Sequence, residues 1–422
     1  GTHYKISGQK IWISNAGFAK LFIVFARIED DKNITSFLVP YDPDNGITLG
    51  EEEKKLGINS SSTRQVFFNE TKVPIENILA NRGDGFKIAV NALNVGRIQL
   101  GAACLEAQRR VISISVKYAN ERIQFKKPIS QFGAIKEKLA RMTTTCYVGE
   151  SATYRAANDI DKKISSLKKD GLDMQKAELK GAEEFAIECS ILKVAISEDI
   201  QNTSDDGIQI FGGMGFSAET PMEAAWRDSR IGRIYEGTNE INRMLSVGMF
   251  LKKGMKGELD LMGAVLKCKK EINDYGNFDE KEIFGEEKQV LKNLKKVFLL
   301  LLGNSVEKFG PKIEERQQVL LSLSDMLIEI YFSESAILRT EKNIAKENDQ
   351  NIQIMMTKLY LFEAVEIILK KAKEIIPSIS VTDKTKDIQK SIEKLCSYNI
   401  PNVIELKTKI ADKIISENKY CF

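Results

Sequence analysis

Apolar and polar positions alternate with a period of two through the first 80 or so residues. YKISGQKIWIS, KLFIVFARI, TSFLVP and RQVFFNE are short, rich in β-branched and aromatic residues, and separated by Asp, Asn, Gly and Pro turns. They predict an antiparallel sheet or partial barrel. GTHYKISGQKIWIS already alternates like a strand and carries no cationic-then-apolar leader. The chain is therefore expected to begin inside a domain, with its first strand edge exposed or covered by a segment outside it. From Gly83 the period becomes helical: DGFKIAVNALNVGRIQLGAACLEAQRRVISISVKYANER places apolar residues at i, i+3 and i+4 for about nine turns.

Further long helices are predicted over 131–163 and 175–203, packed as an antiparallel bundle. GIQIFGGMGFSAETP breaks the pattern as a loop, and short helices are expected near 219–230 and 238–252. KKGMKGELDLMG reads as a linker, and the Lys-, Glu-, Ile- and Leu-rich remainder as a separate helical domain. The fold class expected is mainly α with a β-domain: a partial antiparallel β-domain over 1–80, a helical bundle over 81–253, a linker over 254–263 and an additional helical domain over 264–422.

Composition narrows the chemistry. With 422 residues, 43% of them hydrophobic, the chain can bury more than one core. Its 62 basic and 59 acidic residues nearly cancel, which gives no reason to expect nucleic acid. Six cysteines (104, 146, 189, 268, 396 and 421) stand singly, without C-x-x-C pairs or zinc spacing, as reduced and mostly buried thiols would. No metal site is expected. The longest aliphatic run, VFLLLL, is far shorter than the ~20 residues that span a bilayer, so a soluble protein is expected. The single histidine, His3, sits at the very start, so acid–base work falls to carboxylates, Lys, Tyr or a cofactor.

Four stretches are candidates for that work. In RIGRIYEGTNEINR, Glu236 lies between an aromatic and a Gly-Thr; Thr238 reads as an N-cap and Glu240 as a first-turn acid. Glu236 is then either an ordinary residue before a helix or a general base. FGGMGF is either a helix-to-helix turn or a close approach to a flat or anionic ligand, and with no βαβ unit around it a Rossmann reading is disfavoured. KIWISN places Trp12 and Ser14 on one strand face, suited to core packing or to a heterocycle. ERIQFKKPISQFG offers Arg122 with Phe125 and Phe132, for packing or for a phosphate and a ring.

Together KIWISN, KLGINSSSTRQVFFNETKVP, NALNVGRIQLGAACLEAQ, ERIQFKKPISQFGAIKEKLARM, QIFGGMGF and RIGRIYEGTNEINR resemble the acyl-CoA dehydrogenase family in order and spacing over residues 1 to about 253. The helical extension beyond looks most like the very-long-chain branch. The resemblance implies FAD-dependent α,β-dehydrogenation of long-chain acyl-CoA in fatty acid β-oxidation, with Glu236 as the base that removes the α-proton while the β-hydrogen leaves to flavin N5. It implies cofactor contacts from Trp12, Ile13, Ser14, Arg122, Gln124, Phe125, Ile129, Phe132, Thr238 and Glu240. It implies further ones from Gln209, Ile210, Phe211, Gly212 and Gly213 to the FAD of a neighbouring subunit, hence a homodimer or homotetramer. Arg97, Tyr235 and Gly237 are implied at the substrate, and an electron-transfer flavoprotein as electron acceptor.

Gly96, just before Arg97, means that the chain does not carry the family's alternative helix-borne glutamate. Gly133 and Asn59 depart from residues common in relatives. The family's N-terminal helical domain and the first half of its β-domain are not in this sequence, so the chain is expected to be truncated and to lack one wall of the site. Alternatives are an acyl-CoA oxidase, or an assembly or membrane-docking protein in which EEKQVLKNLKKVFLLLLGNSVEKF lies on a bilayer, as against packing that apolar face inward. Peripheral membrane contact would then run through 264–422. The composition fits a bacterial cytoplasmic protein, or a mitochondrial matrix or inner-membrane location if the source is eukaryotic.

Overall fold

Period-two alternation at the start of the chain becomes six strands in the computed structural model, which describes residues 1–344, 351–379 and 382–422. The chain divides into two units, Gly1–Val95 and Gly96–Phe422. The first holds β1 (His3–Ser14), β2 (Leu21–Arg27), β3 (Ile34–Pro40), β4 (Ile47–Leu49), β5 (Thr63–Pro74) and β6 (Ile78–Leu79). Two antiparallel sheets, ordered β1-β5-β4 and β2-β3-β6, share a core of Ile6, Phe22, Val24, Phe37, Val39, Ile47, Val66, Phe68 and Val73. They do not close into a barrel.

The pairing of β1 with β5 shifts register between Lys10 and Ile13, and Trp12 within that bulge has φ of 61°. Strict alternation therefore does not hold across KIWISN, and the expectation that period two alone puts Trp12 and Ser14 on one face is corrected. Trp12 is not a core residue: it is 61% exposed.

The second unit is helical. The boundary falls within α1 (Gly85–Glu121), whose later part buries Leu105, Val111, Ile112, Val116 and Ala119. By length and composition α1 qualifies as a membrane span, which the short aliphatic runs did not suggest; 28% of its apolar window is buried in the fold, and the later part of the helix enters the packed core. A tight hairpin of β7 (Ile123–Gln124) and β8 (Lys127–Pro128) leads to α2 (Gly133–Lys169).

The helix expected over 175–203 is two helices, α3 (Met174–Glu184) and α4 (Ala186–Phe211), broken at Phe185. α4 is buried on most of its sides, and the residues it encloses include polar ones, Lys193, Gln201 and Asp206 among them. It also runs through Gly207, where a Cβ would meet the Met222 sulfur at 2.8 Å, so this glycine serves close packing and not a loop. The predicted loop is a corner at Gly212, with φ of 60°, followed by one turn of helix α5 (Gly213–Phe216). Next come α6 (Pro221–Ser229) and α7 (Asn239–Met255).

The expected linker is half helix: α7 runs to Met255 and α8 (Leu261–Lys270) starts after five intervening residues, capped by Asp260 on the Gly263 N–H. Beyond lie α9 (Gly285–Phe309), α10 (Gln317–Ile344), α11 (Asn351–Ile379), α12 (Thr382–Leu395) and α13 (Val403–Glu417). Ile328, Phe332 and Ala336 of α10, Met356 and Leu359 of α11 and Ile410, Ala411 and Ile414 of α13 enter the core built by α1, α2 and α4. Other residues of α10 and α11 build a second core with α9. Each large apolar side chain buried there contributes roughly 1.5–3 kcal/mol, so these helices are held to the bundle by a shared interior. The face of α9 weighed for a bilayer, Val290, Leu291, Leu294, Val297, Phe298 and Leu300–Leu302, is in that second core, so it packs inward.

Candidate active site

Glu236 stands in a left-handed turn that ordinary sequence preferences disfavour. Its φ is 58° and that of Gly237 is 80°; a glutamate gains nothing intrinsic from this conformation, so its surroundings must impose it. They do so through the carbonyls. The Glu236 carbonyl accepts from Arg97 Nε at 3.3 Å and from Asn242 Nδ2 at 3.2 Å. The Gly237 carbonyl accepts from Lys193 Nζ at 2.7 Å and Asn242 Nδ2 at 2.8 Å, and the Thr238 carbonyl from Asn242 Nδ2 at 3.1 Å. Arg97, Lys193 and Asn242 are all buried and come from α1, α4 and α7. Thr238 caps α7 through the Ile241 N–H, as its sequence position predicts.

With the carbonyls turned to one side, the reactive groups are left free. Among the described residues neither the Glu236 carboxylate nor its own N–H has a hydrogen-bond partner. The carboxylate lies against α1 at Gly96, where a Cβ would come within 2.6 Å of Oε2, so only glycine fits there. Burial lowers the Arg97 pKa from its ordinary value, and the Cys189 thiol and Glu236 oppose that shift. Burial, reinforced by Arg97, pulls Lys193 down to about 8. Tyr235, half-exposed, has its phenol pushed up by burial and by Cys104 and Glu236.

Of the residues of the helical unit implied as cofactor contacts, Thr238 and Glu240 follow Glu236 directly, and the others lie elsewhere. Arg122, Gln124, Phe125, Ile129 and Phe132 lie on and after the β7–β8 hairpin, just past the far end of α1. Arg97 and Arg122 are separated by 25 residues of helix and its first exit residue, roughly 37 Å along the axis at 1.5 Å per residue. Phe125 and Lys126, with φ of 51° and 68°, form the two-residue turn of that hairpin in the mirror-image geometry hairpins prefer. Phe125 is 86% exposed and meets Phe132 edge-on at 6.0 Å, while Lys127 Nζ sits 4.3 Å from the Phe132 ring centre.

Gln209 to Gly213 sit at the same end, because Phe211 stacks on Tyr118 of α1 at 3.9 Å and its carbonyl accepts from the Tyr118 hydroxyl. Ile210 and Phe211 are core residues, so their side chains are not available to a ligand. Gln209, Gly212 and Gly213 are exposed, and a Cβ at either glycine would meet nothing. An exposed aromatic on a strained turn, a guanidinium and open glycine backbone at one helix end fit a flat, anionic ligand. Trp12 and Ser14 are exposed and Ile13 half-buried at the end of β1 in the other unit. Glu240 is exposed in the first turn of α7.

Sequence reasoning missed Lys193, Asn239 and Asn242. One signal was present: Lys193 lies on the apolar stripe of its helix, with Cys189, Ile196 and Ile200 at i−4, i+3 and i+7, where a solvated lysine does not belong.

Models of the acyl-CoA dehydrogenase middle domain match residues 1–71, and models of the acyl-CoA dehydrogenase C-terminal domain match 83–248 and 293–394. A probable acyl-CoA dehydrogenase of Bacillus subtilis is 38% identical over 427 residues, covering 100% of this chain and 71% of its own length. The human mitochondrial very long-chain specific acyl-CoA dehydrogenase is 40% identical over 286 residues, 66% of this chain and 40% of that protein. Among solved structures, an acyl-CoA dehydrogenase complexed with FAD from Bacillus anthracis shares 39% identity with a TM-score of 0.95, over 100% of this chain and 72% of that one. The Megasphaera elsdenii butyryl-CoA dehydrogenase has a TM-score of 0.52 at 35% identity, over 59% of this chain and 61% of that one.

Proposed function

The chain belongs to the acyl-CoA dehydrogenase family, and from that premise we propose that it is the base-bearing part of an FAD-dependent oxidoreductase that desaturates long-chain acyl-CoA thioesters between Cα and Cβ in β-oxidation. The observation that carries this reading is the Glu236 turn: a free carboxylate and a free N–H side by side, with the intervening carbonyls tied back by Arg97, Lys193 and Asn242. An α-proton of a thioester is weakly acidic, so its removal needs both a base and a donor to the carbonyl where negative charge develops. Glu236 offers the first through its carboxylate and the second through its backbone.

Bound FAD would supply the acceptor for the β-hydrogen. Trp12, Ile13 and Ser14 on one unit, and Arg122, Gln124, Phe125, Ile129 and Phe132 on the hairpin, with Gln209, Gly212 and Gly213, would hold it. Since the hairpin lies roughly 37 Å from Arg97, we place it against the cofactor of a second copy, so the active form is a homo-oligomer. The length of acyl chain rests on the likeness to the very long-chain specific human relative, and the electron-transfer flavoprotein as acceptor rests on the family.

Anaerobic addition of palmitoyl-CoA to the FAD-loaded protein and to Glu236→Gln tests the reading. Bleaching of the oxidised flavin band in the wild type alone is expected. Equal bleaching in both removes Glu236 as base, and bleaching in neither removes the substrate.

A further inference from the structure

The turn that presents Glu236 is fastened to a lysine that no solvent reaches. Lys193 is fully buried in α4, and its Nζ donates at 2.7 Å to the Gly237 carbonyl and at 2.7 Å to Asn239 Oδ1. Asn239, also buried, passes the connection on: its Nδ2 donates to Glu198 Oε1 at 2.9 Å and to Ser197 Oγ at 3.1 Å. Glu198 takes both ends of the Arg243 guanidinium at 2.7 and 2.8 Å, and Arg243 Nε reaches Asp325 of α10 at 2.7 Å. The loop at Gly237 is thus tied to α4 by one ammonium, and that ammonium is linked through buried Asn239 to a partly buried polar chain running to α10.

We infer that Lys193 is the positioning residue of the base, its buried ammonium setting the left-handed Glu236–Gly237 turn; this rests on the reading of Glu236 as base. A neutral hydrocarbon could fill the same volume, so the packing of α4 does not by itself call for a cation. What calls for one is the pair of oxygens on the loop. The charged groups that face the ammonium are Arg97 from α1, Glu198 from its own helix, Glu236 from the turn and Glu240 from α7. Losing the ammonium leaves the Gly237 carbonyl with Asn242 alone and lets a strained turn relax toward ordinary backbone angles.

The test compares FAD-loaded wild type, Lys193→Met, Lys193→Gln and Lys193→Ala by anaerobic stopped-flow flavin reduction over a range of palmitoyl-CoA concentrations. Loss of the charge is expected to slow reduction about 100-fold in Lys193→Met, the scale of a small misplacement of a reacting group. The palmitoyl-CoA affinity read from the same traces should stay within about twofold, so that the loss falls on the reduction step and not on binding. Ethylammonium should restore reduction in Lys193→Ala, and sodium chloride at equal ionic strength should not. If Lys193→Met does not fold, Lys193→Gln, which keeps a donor without charge, must show the same slow reduction at unchanged palmitoyl-CoA affinity. A folded variant that reduces at the wild-type rate, or one whose loss is entirely in palmitoyl-CoA affinity, overturns the inference. That failure is distinct from failure of the functional reading, which shows as absent bleaching in the wild type or as wild-type bleaching in Glu236→Gln.

Discussion

Two regions of the helical unit were marked by sequence as sites, and they are built in opposite ways. The Glu236 turn is wrapped from within: buried side chains from α1, α4 and α7 take its carbonyls, and the groups left over are the reactive ones. The hairpin at Phe125 points outward, with its aromatic 86% exposed on a turn of two left-handed residues. A region enclosed by its own chain is complete and rigid. A region that holds strained, apolar residues in solvent is open to a ligand or a partner surface, as in the reading proposed above.

The sharpest way to break this contrast is at the base. Glu236→Gln should cost about 1,000-fold or more in the rate of flavin reduction while leaving FAD content unchanged, since general bases contribute on that order; a change below tenfold would put the enclosed region outside the chemistry. Gly96→Ala comes next: a methyl 2.6 Å from Oε2 must displace the carboxylate, and about a 100-fold loss of rate with an unaltered circular dichroism spectrum is expected.

The hairpin predicts a smaller effect of another kind. Phe125→Ala should weaken FAD retention about tenfold, the scale of one lost aromatic contact, measured by flavin release on dilution. If the hairpin serves a second copy, co-expression of Phe125→Ala with Glu236→Gln should recover about a quarter of wild-type activity from mixed dimers with one intact site. No recovery above either variant alone would place both regions on the same cofactor.

The smallest effect tests stability away from both regions. Asp199 on α4 and Glu329 on α10 are crowded by protein, and burial, with each other's or neighbouring acids' charge, pushes their carboxyls up to about 8 and about 7. The folded state therefore keeps protons that the unfolded chain releases near pH 4, so this contribution is fully present below about pH 4 and is lost as pH rises toward 8. Asp199→Asn should raise the stability at pH 8 by about 1 kcal/mol or more and flatten the decline between pH 5 and 8. Denaturant melts at both pH values check it, and an unchanged slope would show that Asp199 titrates normally.

Much of this architecture could be read from the chain. Period two and period 3.6 separate the strands from the helices, and Thr238 announces the start of α7. The break at Phe185 and the passage of α4 through Gly207 were not legible, because each depends on what packs beside the helix: Met222 and Val111 crowd Gly207, and a loop would need the same glycine for a different reason. The linker expected over 254–263 shows the same limit. Its glycines at 254, 257 and 263 read as breaks, but α7 and α8 reach into that stretch, and α10 and α11 join both cores.

By itself the sequence determined which groups could do chemistry: one histidine at the edge, a carboxylate before a capped helix, and an aromatic hairpin beside glycines. Only the tertiary structure decided that Glu236 would be left without hydrogen bonds while its carbonyl was held, since Arg97, Lys193 and Asn242 come from three helices spread over the chain. Local pattern records how often a face meets the core, whereas the partner of a buried charge is chosen when distant helices pack and must satisfy every polar group they enclose.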